Sequence, residues 1–315
     1  MYYPYFRGKQ FELILLREKA QFLVNNNIHP IIEPVKDDFS SLTRTMKILN
    51  KECVDCSLIV NPQVGQKPIS CSIIQKLIDD NFVGFKNISV GFILHAQSKI
   101  VDLVNLLQKY QNLDFSILHY GYKNGAEVAN AIIGYNNVKK HIFIDGFAGK
   151  LYQRHVKKDG IQRILIRNGF KQRKKNSLYP PSEHFSDLHI TFPDEGMDGF
   201  GDYLIVGDDY SEAGGPAYAV AIHLTYLDDG NDMSIFHFIS DHMDSPTDPA
   251  GKFLEALSKL VKEFRKPKSL IFNSSACSEY VDLYNKKHYP GLGYVKKLSM
   301  QHHIELIAHY LKKSS

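Results

Sequence analysis

Apolar residues in the first half of the chain fall in short continuous runs, each bounded by Pro, Gly, Asn or Asp. Ile28-His-Pro-Ile-Ile-Glu-Pro-Val-Lys36 shows the form: a β-prone run that closes on a carboxylate, Glu33, between two prolines. A strand covered on both faces reads this way, whereas a half-exposed antiparallel strand alternates apolar with polar. The same shape recurs at Phe11–Arg17, Cys56–Pro62, Ser89–His95, Phe115–Tyr120, His141–Gly146 and Arg163–Asn168. Helical spacing follows each of the first six runs. The clearest case is Lys99 to Tyr110, where Ile100, Leu103, Val104, Leu106 and Leu107 form one stripe. Buried strands alternating with helices predict parallel strands joined by crossover helices.

Seven such units, with an eighth strand at Asp202–Gly207, predict a closed (β/α)8 TIM-like barrel of the α/β class. The alternative is an open doubly wound sheet. It is disfavoured because no Gly-rich phosphate loop follows the first run. After the seventh run the regularity stops. A basic loop, Gly169 to Ser177, leads to a break at Tyr179-Pro-Pro181. Two alternating runs, Tyr218–Leu227 and Met233–Ile239, then flank Asp228-Asp-Gly-Asn-Asp232, whose Asp-Gly favours a hairpin turn. Helical patterns follow at Pro249–Arg265, Cys277–Lys287 and Ser299–Leu311. The expected organisation is a barrel over 1–265 with an acidic insertion at about 177–250, and a helical extension over 266–315 packed on the barrel.

In a barrel of this kind the reactive groups come from the C-terminal strand ends, where side chains converge on open space. Glu33, Asn61, His95, His119, Asp145 and Arg167 take that position in successive units. Two imidazoles and two carboxylates suit general acid–base work or a divalent metal, and Arg167 suits a phosphate. These residues therefore point to a hydrolase acting on a phosphoester or nucleotide-like substrate. The competing reading is that strand ends are polar simply because they leave the core, and that the barrel is a scaffold for a partner.

Composition narrows the setting. With 315 residues, 43% apolar and 23% charged, the chain can bury a large core and is not a disordered polymer. It has no apolar run of about 18 residues, and the Met1-Tyr-Tyr-Pro-Tyr start lacks a charged n-region, so the expectation is a cytoplasmic protein without a membrane span. Cys53, Cys56, Cys71 and Cys277 include a single C-x-x-C with no second pair to complete a zinc set, which leaves idle or buried thiols as the plainer account.

The net charge of +4 conceals a division: ten Lys or Arg lie between Lys150 and Lys175, and none between Ser177 and Gly251, where fifteen Asp or Glu occur. Such separation points either to two surfaces with different partners or to one that pairs with the other. The basic cluster offers contacts to nucleic acid, and the acidic stretch argues against that reading. His223, His237, Asp241, His242 and Asp244 match no recognised ligand spacing, so mutual hydrogen bonding around the hairpin is expected of them rather than a metal site.

The opening Tyr2-Tyr-Pro-Tyr-Phe-Arg-Gly-Lys-Gln-Phe-Glu-Leu13, the Pro30-Ile-Ile-Glu-Pro34 run, Gly199-Phe-Gly-Asp-Tyr203 and Tyr218-Ala-Val-Ala-Ile-His-Leu-Thr-Tyr226 resemble the beta-protein family of phages and bacteria. The resemblance spans nearly the whole chain. It implies a barrel-like α/β protein of phage, mobile-element and anti-phage defence loci, sometimes encoded beside a nuclease-like protein partner. It implies no reaction, cofactor or catalytic residue.

Overall fold

The computed structural model describes residues 1–315 except 66, 212–214, 216, 217 and 315, so Glu212 of the acidic stretch lies outside the described residues. The chain divides into two compact units: Met1–Arg167 with Thr191–Asp202, and Asn168–Ile190 with Tyr203–Ser315. This division differs from the expected boundary at 265, because the helix that begins at Pro249 packs on the hairpin strands.

The first unit is a (β/α)8 barrel. Its strands are β1 (Tyr5–Phe6), β2 (Ile31–Ile32), β3 (Cys56–Ile59), β4 (Ile88–His95), β5 (Phe115–Tyr120), β6 (Val138–Ile144) and β7 (Gln162–Ile166). The second unit supplies β8 (Ser182–Ser186), after which the chain returns to the barrel as β9 (Gly199–Gly201). All eight barrel strands are parallel, in the order β1-β2-β3-β4-β5-β6-β7-β9. The edges then meet: Tyr3 N–H donates to Phe200 O at 2.8 Å and Tyr5 N–H to Asp202 O at 2.9 Å. Gly201 permits this seam, since a Cβ there would stand 2.0 Å from the Tyr3 carbonyl oxygen. Between the strands run α1 (Gln10–Glu18), α2 (Ala20–Asn25), α3 (Ser40–Lys51), α4 (Cys71–Asn81), α5 (Ile100–Lys109), α6 (Gly125–Ile132) and α7 (Lys150–Val156).

Two strands lie elsewhere than the sequence pattern placed them. Phe11–Arg17 belongs to helix α1, and the first strand is the aromatic pair Tyr5–Phe6. Short apolar runs do not separate helix from strand by periodicity. Local bonding decides this one: the Glu12 carboxylate accepts the Arg7 N–H at 2.6 Å and so starts the helix. The eighth strand is Gly199–Gly201, just before the expected Asp202–Gly207, where Leu204 takes φ 54° and the chain turns.

The second unit is built on a three-stranded antiparallel sheet ordered β10-β11-β8, in which β10 (Ala221–Leu227) and β11 (Met233–Ile239) form the expected hairpin. A short helix, α8 (Leu188–Thr191), follows β8. Three longer ones, α9 (Pro249–Phe264), α10 (Ser275–Lys286) and α11 (Leu292–Ser314), complete the unit. Val220, Ile222 and Leu224 bury against Phe253, Leu257, Tyr280 and Leu298. Cys277 closes this core, and its thiol lies 3.3 Å from His302 Nδ1. All four cysteines are free thiols. Among the described residues no helix is long and apolar enough to cross a membrane.

Candidate functional site

The barrel's C-terminal rim collects the six strand-end residues, and strand geometry decides which way each one faces. Ser57, Ser89 and Ser116 on β3, β4 and β5 mark the interior. Their hydroxyl oxygens form a buried triangle with sides of 2.8, 2.9 and 3.1 Å. Side chains alternate faces along a strand, so counting by two from these serines gives Asn61, His95 and Tyr120 as the inward positions at the rim. Ile31 pairs with Ser57 and Tyr5 with Ile31, which adds Glu33 and Arg7 to the same face. His119 lies on the opposite face, towards the helices, where its Nδ1 meets the Tyr152 hydroxyl of α7 at 2.7 Å. His141 contacts His119 and pairs in register with Arg163, so Asp145 and Arg167 share that outer parity.

Glu33 is fully buried and held by three donors. It accepts the Tyr5 hydroxyl at 2.8 Å, the Gln63 N–H at 2.7 Å and the Arg7 guanidinium. Arg7 also lies over the Tyr5 ring at 5.0 Å. Asn61 carries the β3–β4 ladder past its end. Its amide donates to Ile93 O and accepts Ile93 N–H, both at 2.8 Å. His95 is half-buried, and its Nδ1 accepts the Gln97 N–H at 3.1 Å. His119 is buried with both nitrogens engaged, the second to His141 Nδ1 at 2.9 Å. Burial and the His141 ring hold its proton affinity well below the ordinary imidazole value. Burial and the Arg163 charge bring His141 down to about 4.

Of the six, Asp145 and Arg167 are joined by a direct contact, Nε to carboxylate at 2.6 Å. Glu195 extends the pair, 3.6 Å from Arg167 on one side and ion-paired with Lys150 on the other. Among the described residues Glu33, Asn61, His95 and His119 share no hydrogen bond with one another, and no group of three or more His, Cys, Asp or Glu is placed to hold a metal ion. A divalent cofactor therefore finds no ready donor set among these six. Of the hairpin residues His223 and His237 bond each other as expected, whereas His242 and Asp241 instead bond Glu255 and Lys259 of α9, the latter at 2.7 Å.

Strand-end position alone missed five members of the rim: Tyr5, Arg7, Tyr120, Phe147 and Glu195. Tyr120 and Phe147 matter most. Their rings stack at 4.3 Å and 27°, yet remain 37% and 46% exposed. Large apolar rings left open to water at a barrel mouth are a feature of binding surfaces. Period-two counting from Ser116 reaches Tyr120 from sequence alone. Phe147, in the loop after β6, carries no such signal.

No protein-family model and no curated protein matches the chain. Among solved structures, Gre2 from Candida albicans aligns over 98% of this chain and 100% of that one, at 11% identity and a TM-score of 0.26. A likeness that slight carries no argument about fold or activity.

Proposed function

We propose that the protein is a partner-binding scaffold, and that its barrel rim is the docking face for another protein. The observation that carries this reading is a contrast at the rim. Glu33 and His119 are committed to internal bonds, Glu33 to three donors and His119 to Tyr152 and His141, while the stacked Tyr120 and Phe147 rings keep much of their surface exposed. A fully buried carboxylate held by three donors is not exposed to a substrate, and a histidine facing the helix layer has no path to one. Exposed aromatic rings bordered by ion pairs are the composition of an interface anchor with a polar margin. The alternating chain Lys150–Glu195–Arg167–Asp145 provides that margin.

The resemblance to phage and bacterial beta proteins supplies the context for the proposal: a defence or conflict locus whose nuclease-like product is the partner. Hydrolysis of a phosphoester is the second reading, and it rests on His95 and Asp145, the two of the four acid–base candidates whose side chains keep solvent contact. The deciding experiment is co-expression of the chain with its neighbouring gene products, followed by co-purification of wild type, Tyr120→Ala/Phe147→Ala and His95→Ala. A stoichiometric partner lost only in the aromatic double variant supports the scaffold. A phosphoester turned over by wild type and not by His95→Ala overturns it.

A further inference from the structure

The hairpin of the second unit holds a relay that the rim does not use. His223 and His237 face each other across β10 and β11, with their Nδ1 atoms 2.7 Å apart. The far nitrogen of His237, Nε2, lies 3.3 Å from Glu183 on β8, and Glu183 is paired with the Arg173 guanidinium at 2.7 Å. Burial lowers the proton affinity of His237 to about 4, and with that ring neutral these contacts assign the protons. Glu183 is the acceptor, so His237 Nε2 carries hydrogen and donates it. His237 Nδ1 is then a bare lone pair, and the proton between the two rings belongs to His223 Nδ1. His223 is left with an unprotonated Nε2, for which no hydrogen-bond partner occurs among the described residues.

The surroundings say what that nitrogen suits. The His223 ring is half-buried, with Phe170 and Tyr179 edge-on at 5.1 and 4.8 Å, and Tyr179 also stacks on His237 at 4.6 Å. Burial, the His237 ring and the Lys296 charge, in that order, lower the proton affinity of His223 and keep its ring neutral. A neutral imidazole with an acceptor lone pair behind it, on a ring held by the Glu183 carboxylate, and a positive charge acting on it matches transfer of an anionic group.

We propose that His223 Nε2 is a phosphoryl acceptor that takes its group from an acyl phosphate. The Nε2 lone pair forms the N–P bond as the donor's P–O bond breaks and its carboxylate leaves with the electron pair. The His223 Nδ1 proton passes to His237 Nδ1, and the imidazolium so formed is held by Glu183. His237 and Glu183 are positioning residues: they set the tautomer and receive the proton.

Acetyl phosphate added to the purified full chain is the test, read by intact mass, by fragment mass spectra that locate the adduct, and by phosphorus NMR that separates Nε2 from Nδ1 attachment. One acid-labile phosphoryl group on His223 Nε2 is expected, formed ahead of any on the more exposed His184 and His242. His237→Gln and Glu183→Gln are each expected to slow that labelling about 100-fold, the low end of what a positioned base contributes, without changing the rate at His184 or His242. Labelling of His184 or His242 before His223, attachment at Nδ1, or unchanged rates in both variants overturns the proposal. If circular dichroism shows that a variant is unfolded, the order of labelling in wild type decides by itself.

Discussion

Replacing Glu33 by glutamine separates the two readings of the barrel rim through stability alone. The carboxylate is fully buried, and its three donors include the Arg7 guanidinium, whose side chain is 11% exposed. Glutamine fills the same space but brings no charge and has one acceptor oxygen where there were two. The nearly buried Arg7 guanidinium then loses the Glu33 charge, and either Tyr5 Oη or Gln63 N–H loses its acceptor. Removing one partner of a buried ion pair costs about 3–5 kcal/mol, because the other charge stays desolvated. For a unit of roughly 180 residues each kcal/mol shifts the melting temperature by about 2–4 °C, so the barrel transition should fall by at least about 6 °C. Differential scanning calorimetry reads this directly, with the second unit's transition as the internal reference. A catalytic carboxylate held in place for a substrate behaves in the opposite way, since its removal commonly leaves stability equal or better. A barrel transition in Glu33→Gln within about 1 °C of wild type, or above it, refutes the structural role.

Further outcomes follow from the same structure. Burial depresses the proton affinities of His29, His141, His237 and His302 to about 4 each, against about 6.5 in an unfolded chain. The unfolded state therefore binds protons first as pH falls, so the stability these rings contribute is intact above about pH 6.5 and is lost progressively down to about pH 4. Melting temperatures measured across that window should decline steeply, and His141→Phe should flatten the decline; a flat profile in wild type contradicts the burial of these rings. Gly201→Ala should prevent closure of the barrel, since the new Cβ meets the Tyr3 carbonyl, and the variant should be recovered unfolded or aggregated. Phe147→Ala should change stability by no more than about 0.5 kcal/mol while weakening any partner complex, as measured by urea unfolding and by titration calorimetry. Thiol labelling with a disulfide reagent should modify exposed Cys53 quickly and leave Cys56 and Cys277 untouched in the folded protein, because burial pushes the first up to about 12 and the second up to about 11.

The barrel was legible because the centres of β4 to β7 are buried, and that burial writes itself into the chain as runs dominated by Val, Ile, Leu and Phe. The first strand was not. Tyr5–Phe6 has only two ladder residues, and the longer apolar run beside it is helical because Glu12 caps it. Nor was the second unit's extent visible: α9 has the amphipathic spacing of any barrel helix, and only contacts distant in sequence assign it to the hairpin. At the site, position along the barrel axis was legible and facing direction was not. His119 and Tyr120 are neighbours in sequence, yet one residue of register sends the imidazole to Tyr152 and the phenol to the mouth. The three serines that set this parity are single polar residues within apolar runs, and their meaning appears only when three strands bring them together.

Facing direction is therefore the quantity to measure, and exchange of the imidazole carbon-bound hydrogen, followed by mass spectrometry for each histidine, reads it most directly. The structure predicts fast exchange at half-open His95, and protection of His119 and His141 with no titration of His141 until about pH 4. If His119 exchanges as fast as His95 and titrates near the ordinary imidazole value, it lies in the mouth, and the assignment of the rim to binding rather than catalysis is wrong.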